Sequence, residues 1–436
     1  MKTHRPLGWV LVVTLLVGCA GQIVRKAPPP PAPPETTRFR LTPGNSVIGH
    51  IYRLRLRDGD TLADVARHFA IGLQALQDAN PSIDPWIPPA GKEIILPLAF
   101  VLPAVPGGGI VINLAAMRLF HFTSEKEVET YPVGIGRAGW KTPLGTTRIV
   151  QKKKHPRWVV PASILREHAI RGDPLPRVVP PGPDNPLGNR ALRLGFPGYL
   201  IHGTNKPYGV GLRISHGCIR LYPENIETLF AHTKVGTRVT IVDQPYLLGW
   251  WGKQLYLEAH PPLQAGEGER RKKRRALIKR LRNMAEKSGL EIDWKRVRNT
   301  LLEARGIPVP ILKSSPDLER LLARLLRMPH PGRWPHAPEL PPLAPGWLVT
   351  LDIPLTDRAA GKLTAILRHQ TPPIPAHQMG DQVIIGPYED QRGVNAVLSR
   401  LKRDLGLKGR TVTPVASRSF LKAPASHSLY RTNASP

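Results

Sequence analysis

Residues 7 to 17 are almost continuously apolar, and Lys2, His4 and Arg5 precede them. A run that short does not fill a membrane span, and with basic residues in front it reads as the hydrophobic part of an export signal. From residue 50 the pattern changes. Ile51, Leu54 and Leu56 predict a strand, Asp58-Gly59-Asp60-Thr61 a turn ending in an N-cap, and Leu62, Val65, Ala66 and Phe69 one face of a helix. A second helix is predicted over about 72–79, stopped by Asn80-Pro81, and Gly91-Lys92-Glu93-Ile94-Ile95-Leu96-Pro97 closes the unit as a strand. Residues 50–97 therefore read as a small βααβ domain.

Strand patterns dominate residues 109–243. Ile110-Val111-Ile112-Asn113, Met117 to Phe122 and Val128 to Ile135 predict strands, with helices only around 161–170 and 223–232. Residues 246–262, rich in Trp, Leu and Pro, are expected to pack on the edge of that domain. Leu277, Ile278, Leu281 and Met284 then recur at helical spacing behind Arg270-Arg271-Lys272-Lys273-Arg274-Arg275. With Leu301, Leu302, Leu318, Leu321, Leu322 and Leu325 they predict a small helical region within 270–328. Such a basic helix is either a solvated face or a surface for anionic lipid or wall carboxylates. A last α+β unit spans 347–415 in the order βαβαβ: strands at 347–351, 382–388 and 410–415, helices at about 356–369 and 390–405. Proline-rich stretches read as linkers over 19–49 and 329–346, the latter ending a basic region that starts at 244. Residues 416–436 read as a disordered tail.

Composition narrows the partners. The chain has 436 residues, 49 prolines and a formal net charge of +30, which implies several domains joined by linkers and an acidic partner or surface. Nucleic acid would be the usual inference, but the N-terminus argues for export. Leu16-Val17-Gly18-Cys19 resembles a bacterial lipobox. That implies a signal peptide over 1–18, lipidation of Cys19 and anchoring to a membrane. With no Asp after the cysteine, the outer membrane is implied. A plain cleaved signal or an uncleaved anchor is the alternative.

The second of the two cysteines is Cys218, in Ser215-His216-Gly217-Cys218-Ile219-Arg220, with His202-Gly203-Thr204 upstream. The set offers a thiol, an imidazole on another segment, a glycine beside the thiol and a guanidinium two residues on. Acyl transfer needs a nucleophile, a base, oxyanion donors and a cation for a substrate carboxylate. On spacing alone a buried structural thiol and a zinc ligand set also stay open, although no fourth ligand is evident. If Cys19 carries lipid, Cys218 has no disulfide partner, and a lone thiol in an oxidising compartment points to chemistry.

Around these residues the sequence resembles the L,D-transpeptidase catalytic domain of the YkuD family, in its ErfK/YbiS/YcfS/YnhG branch. The phrases are Ile201-His202-Gly203-Thr204-Asn205, Gly211-Leu212-Arg213-Ile214-Ser215, Gly217-Cys218-Ile219-Arg220-Leu221, Thr142-Pro143-Leu144-Gly145 and Gly182-Pro183-Asp184-Asn185. The resemblance covers roughly 109–243 and implies a mainly-β, sandwich-like domain without cofactor or metal. It implies Cys218 as nucleophile and His202, sixteen residues upstream, as base. His216 is expected to be supporting or neutral, and Ser215 to orient the imidazole or a polar group of the substrate. Gly217 leaves space beside the Cys218 N–H, the expected oxyanion donor. Arg220 is expected to hold the loop or a stem-peptide carboxylate, with a structural ion pair as the alternative.

Residues 50–97 resemble a LysM domain through Asp-Gly-Asp-Thr-Leu, Asn-Pro and Gly-Lys-x-Ile-x-Leu-Pro. Residues 347–415 resemble a SPOR domain, especially in Val383-Ile384-Ile385-Gly386-Pro387-Tyr388. Both resemblances imply binding to peptidoglycan glycan strands, with Asp58, Asp60, Thr61, Asn80 and Tyr388 as candidate contacts. The implied activity is periplasmic. Cys218 takes an acyl group from a tetrapeptide stem with release of D-Ala and passes it to diaminopimelate for a 3→3 cross-link, to a lipoprotein lysine, or to water. A non-catalytic wall-binding scaffold is the alternative.

Overall fold

The computed structural model describes residues 36–420 apart from 106, 171, 264 and 265, without the side chains of 418–420. Cys19, the apolar run at 7–17 and the tail beyond 420 lie outside the described residues. No described helix is long and apolar enough to cross a membrane.

A nine-stranded mixed sheet carries the middle of the chain. In spatial order its strands are Arg38–Arg40, Glu127–Pro132, Arg118–Ser124, Gly109–Asn113, Arg238–Val242, Gly145–Lys154, Arg190–Leu194, Leu200–His202 and Ile219–Arg220. The pairing is antiparallel except where Arg238–Val242 meets Gly109–Asn113 and Leu200–His202 meets Ile219–Arg220. Alternate side chains such as Ile110, Ile112, Val239, Ile241, Ile201 and Ile219 point to one face and form the main core with Ile226 and Leu229 of the helix Pro223–His232. The edge strand at 38–40 lies inside the stretch expected to be a linker. There Phe39 is half-buried and meets Phe100 edge to face at 6.1 Å between ring centres. The prolines at 28–34 hid this short alternation from a compositional reading.

The N-terminal βααβ unit is longer than its sequence landmarks. Its strands Val47–Arg55 and Glu93–Val101 pair antiparallel over their whole length, flanking the helices Leu62–His68 and Leu73–Ala79. Thr61 caps the first helix by accepting the Asp64 N–H at 3.1 Å. Leu54, Leu56, Leu62, Val65, Phe69, Leu76, Ile94 and Leu96 form its core.

The region expected to be helical and then linker has its own fold. Tyr246–Trp251 and Gln254–Ala259 form a hairpin, with Val309–Pro310 as a third strand. The helices Glu267–Ser288 and Trp294–Glu303 pack on it through Leu277, Leu281 and Val297. The proline-rich stretch after 328 is a strap rather than a free linker. Met328 and Trp334 are buried in the N-terminal unit's core, and the Trp334 indole N–H donates to Asp60 at 2.8 Å.

The C-terminal unit has one strand more than expected. Trp347–Leu351, Ala376–Met379, Gln382–Tyr388 and Gly409–Val412 make an antiparallel sheet, packed by the helices Asp357–Arg368 and Gln391–Leu405. The order is βαββαβ, because Gly380-Asp381 turns the chain into a tight hairpin. A helix Pro414–Phe420 stands where the tail was expected to begin.

Candidate active site

The site is built on the two short strands that close the main sheet. Ile201 pairs with Ile219 and His202 with Arg220, in parallel register. Both isoleucines point into the core. Side chains alternate along a strand, so Leu200 and His202 leave the sheet on the opposite side, and Cys218 and Arg220 leave on that same side. The Cys218 thiol donates to the Gly198 carbonyl at 3.8 Å, and the Leu200 N–H reaches the sulfur. Two residues of strand cover roughly 6.6 Å. Sulfur and imidazole therefore leave the same face from adjoining segments, and the Arg220 charge acts on both.

His202 is 3% exposed. Its Nδ1 lies 2.6 Å from the Gly203 carbonyl, which only accepts, so Nδ1 carries the proton and Nε2 keeps a lone pair. Burial first, and the Arg220 charge second, push the imidazole down to about 3, against the pull of the Gly203 and Leu187 carbonyls. Cys218 is half-buried. Burial pushes its thiol up, and the Leu200 N–H and Arg220 pull it back. The resting pair is thus a neutral thiol beside a neutral imidazole. Such a base accepts a proton as the sulfur attacks and holds it poorly afterwards, which suits handing it on to a leaving amine.

The turn before Cys218 is held from inside. Ser215 is fully buried. Its hydroxyl donates to the Cys218 carbonyl at 2.7 Å and accepts the Gly217 N–H at 3.1 Å. That corrects the expectation that Ser215 orients the imidazole or meets substrate: both of its hydrogen bonds go to the backbone of the turn. Gly217 has φ +103°, and a Cβ there would meet the Tyr199 ring at 2.9 Å, so only glycine passes. Thr142 donates to the Gly217 carbonyl at 2.9 Å. Arg220 is locked through its backbone, which exchanges two hydrogen bonds with Gly134 at 2.8 and 2.9 Å. Its side chain has no ion-pair partner among the described residues, and its Nε is buried without a hydrogen bond.

His216 is held by neighbours other than the thiol. Its Nε2 lies 3.1 Å from a Glu167 carboxylate oxygen and 3.2 Å from an Arg137 Nη2, and only the carboxylate can accept its proton. Trp140 packs against the ring edge to face at 4.7 Å. Arg137 holds Glu167 through both oxygens at 2.5 and 2.6 Å. This contact first, and His216 after it, drop that carboxyl to about 2. The helix Ala162–Ile170 is thereby tied to the residue two before the nucleophile. Sequence reasoning missed Glu167 and Arg137, since a lone Glu in a short helix has no local signature. Thr142 lay in a quoted phrase without a role.

The candidate glycan contacts fare differently. Asp60 is buried, accepting from Trp334 and lying 3.0 Å from His330 Nε2. Thr61 is the helix cap. Asn80 donates to the Leu76 and Ile95 carbonyls and accepts the Ile95 N–H at 2.7 Å. All three are committed to the unit's interior and are corrected to structural residues. Asp58 is exposed on its turn, and Tyr388 is half-buried at the end of its strand, where burial pushes the phenol up to about 12. Among the described residues no group of His, Cys, Asp and Glu is arranged to hold a metal.

A thiol, a neutral imidazole and a cation on one face, behind a turn rigid enough to aim the sulfur, define a cysteine acyltransferase. Comparison with known proteins makes the class specific. Residues 107–241 match the YkuD family, the L,D-transpeptidase catalytic domain. The chain is 37% identical to the probable L,D-transpeptidase ErfK/SrfK of Escherichia coli, over 65% of this chain and 91% of that protein. It is 38% identical to YcfS of the same organism over 58% and 79%, and 40% identical to YbiS over 52% and 76%, both also named probable L,D-transpeptidases. The chain belongs to the L,D-transpeptidase family, whose members act on peptidoglycan stem peptides, and it is an enzyme of that kind.

Proposed function

We propose that the chain is a periplasmic peptidoglycan L,D-transpeptidase, held at a membrane by lipid on Cys19 and placed on the wall by two accessory modules. The observation that carries the chemistry is the shared face of His202, Cys218 and Arg220. In the first half-reaction the sulfur attacks the carbonyl at the L-centre of diaminopimelate in a tetrapeptide stem. Nε2 of His202 takes the thiol proton, the Cys218 N–H receives the developing oxyanion, and the proton passes to the departing D-Ala amine as the C–N bond breaks. In the second, an acceptor amine forms a new C–N bond as the C–S bond breaks. Its proton returns through His202 to the sulfur.

Diaminopimelate of a second stem as acceptor gives a 3→3 cross-link, a lipoprotein lysine gives attachment of that protein to the wall, and water gives carboxypeptidase action. The βααβ unit is proposed as a LysM module and the C-terminal unit as a SPOR-like one, both for glycan strands. With Asp60, Thr61 and Asn80 committed internally, the LysM contacts would come from the exposed turn at Asp58. Purified enzyme incubated with tetrapeptide muropeptides should release D-Ala and give dimers detectable by mass. Intact tetrapeptides after prolonged incubation with wild-type enzyme would instead favour a wall-binding scaffold.

A further inference from the structure

The hairpin Tyr246–Trp251 with Gln254–Ala259 is covered on both faces. Leu247, with Trp251 and Tyr256, packs against Val47 and Val101 of the N-terminal strands. Leu248, Leu255 and Leu257 face the other way and form one core with Leu277, Leu281 and Val297. The helices Glu267–Ser288 and Trp294–Glu303 are therefore an outer layer on one side of the hairpin, and their remaining faces look outward. On the longer helix, about 33 Å from end to end, Lys272, Arg275, Lys279 and Arg282 recur at spacings of three and four, opposite Leu277 and Leu281, with Arg280 and Lys287 beside them. All six cations are exposed. Among the described residues none of the six makes an ion pair; Arg271 and Lys273 pair with Glu267 and Asp243. Glu286 is the one acid between Arg270 and Lys287. Like charges four apart on a helix repel, a cost that an anionic surface reverses. The shorter helix adds a different chemistry. Trp294 is 41% exposed and Leu302 68%, with exposed Arg298 midway at spacings of four. Tryptophan and leucine beside cations are favoured in the headgroup layer of a bilayer. Carboxylates on a wall polymer would match the cations but leave Trp294 and Leu302 in water.

We infer that this two-helix layer docks on a bilayer surface that carries anionic phospholipid headgroups. Lipid phosphates face the stripe from Lys272 to Arg282, and Trp294 and Leu302 enter the boundary between headgroups and acyl chains. The layer depends neither on the acyl-transfer chemistry nor on lipid at Cys19. With that lipid it supplies a second point of attachment, which raises the effective concentration of the helix face at the bilayer.

The full chain is sedimented with vesicles of phosphatidylcholine alone and with vesicles in which about one third of the lipid is phosphatidylglycerol. Whatever residues 1–19 contribute is common to wild type and variants, so the readout is the ratio of the two partition coefficients and its change on substitution. Each cation at an anionic surface is worth roughly fivefold. The wild type should favour the anionic vesicles by at least about 100-fold at low salt, and by progressively less as added salt shortens the screening length. The quadruple variant Lys272→Gln, Arg275→Gln, Lys279→Gln, Arg282→Gln should lose most of that ratio. A matched variant, Lys153→Gln, Lys154→Gln, Arg157→Gln, Arg166→Gln, removes the same charge from exposed positions of the catalytic domain and should keep it. Equal partitioning of the wild type onto both kinds of vesicle, which needs no variant to fold, would overturn the inference. Equal losses in the two quadruple variants, with unfolding midpoints like that of the wild type, would do so too, since they assign the effect to the net charge of +30 rather than to this face. Vesicles with acyl chains brominated near the headgroup should quench tryptophan fluorescence in the wild type and less in Trp294→Phe; undiminished quenching in that variant would overturn the placement of this face on the bilayer. Binding to purified peptidoglycan sacculi that falls in the helix variant, without any preference between vesicles, would assign the face to wall carboxylates instead.

Discussion

The catalytic strand pair and the N-terminal βααβ unit both have short polar motifs at the ends of regular elements, yet the two spend those polar groups in opposite ways. At 202 and 218–220 the parallel register buries Ile201 and Ile219 and turns the chemical side chains together onto the other face. At 60–61 and 80 the polar groups cap a helix, pair with His330 and Trp334 and bridge a strand. A motif's polar residues are available for chemistry only when the backbone around them is satisfied by other means. Ser215 makes the same point beside Cys218: both of its hydrogen bonds go to the backbone of the turn, and neither goes to the thiol.

Substitutions on either side can break that contrast. Cys218→Ala removes the proposed nucleophile and should lower D-Ala release by at least about 10⁴-fold, with the folding transition unchanged. His202→Ala should cost about 10³-fold in turnover. In the other region Asn80→Ala should leave turnover alone but destabilise the fold by about 3 kcal/mol, since three hydrogen bonds to backbone, one of them fully buried, are lost. An Asn80→Ala protein as stable as wild type in denaturant would mean that Asn80 is free for ligand after all.

Acid sharpens the comparison further. His202 has a folded-state value of about 3 against an ordinary 6.5, so between these pH values the unfolded chain binds a proton that the native one does not. Stability should hold above about pH 6.5 and fall as pH drops below it, by up to about 1.4 kcal/mol per pH unit from this group. Denaturation midpoints read above pH 5 avoid the window of Glu129. That carboxyl sits at about 2, pulled down by His121, Arg38 and His232 against burial, so its contribution is lost only below the ordinary carboxylate range. His202→Gln should flatten the slope above pH 5. The acid limb of turnover assigned to His202 should likewise lie well below 6.5. The smallest effect belongs to Asp58→Ala, an exposed change that should alter stability by no more than about 0.5 kcal/mol. If it also leaves binding to purified glycan strands intact, the turn is not the glycan contact.

Much of this was legible in the residues. Period-two and helical spacing located the two helices of the βααβ unit, and the phrases around His202 and Cys218 pointed to the residues proposed as base and nucleophile. Composition misled at two places. Proline density made 19–49 and 329–346 look like linkers, but Phe39 and Trp334 each pack an aromatic ring against a neighbouring unit. A single large side chain in a proline-rich stretch supplies enough apolar area to pin it, and no local average registers it.

The amino-acid order alone determined which atoms could react, because a thiol, an imidazole and a guanidinium are properties of residue type, and it determined where glycine alone could form the turn beside the thiol. Only the tertiary structure decided their electrostatics and their company. The neutral state of His202 comes from burial and from Arg220 across a strand pairing. Glu167 reaches His216 from a helix 49 residues earlier. Protonation and pairing depend on dielectric and distance, and both are set by segments far apart in the chain.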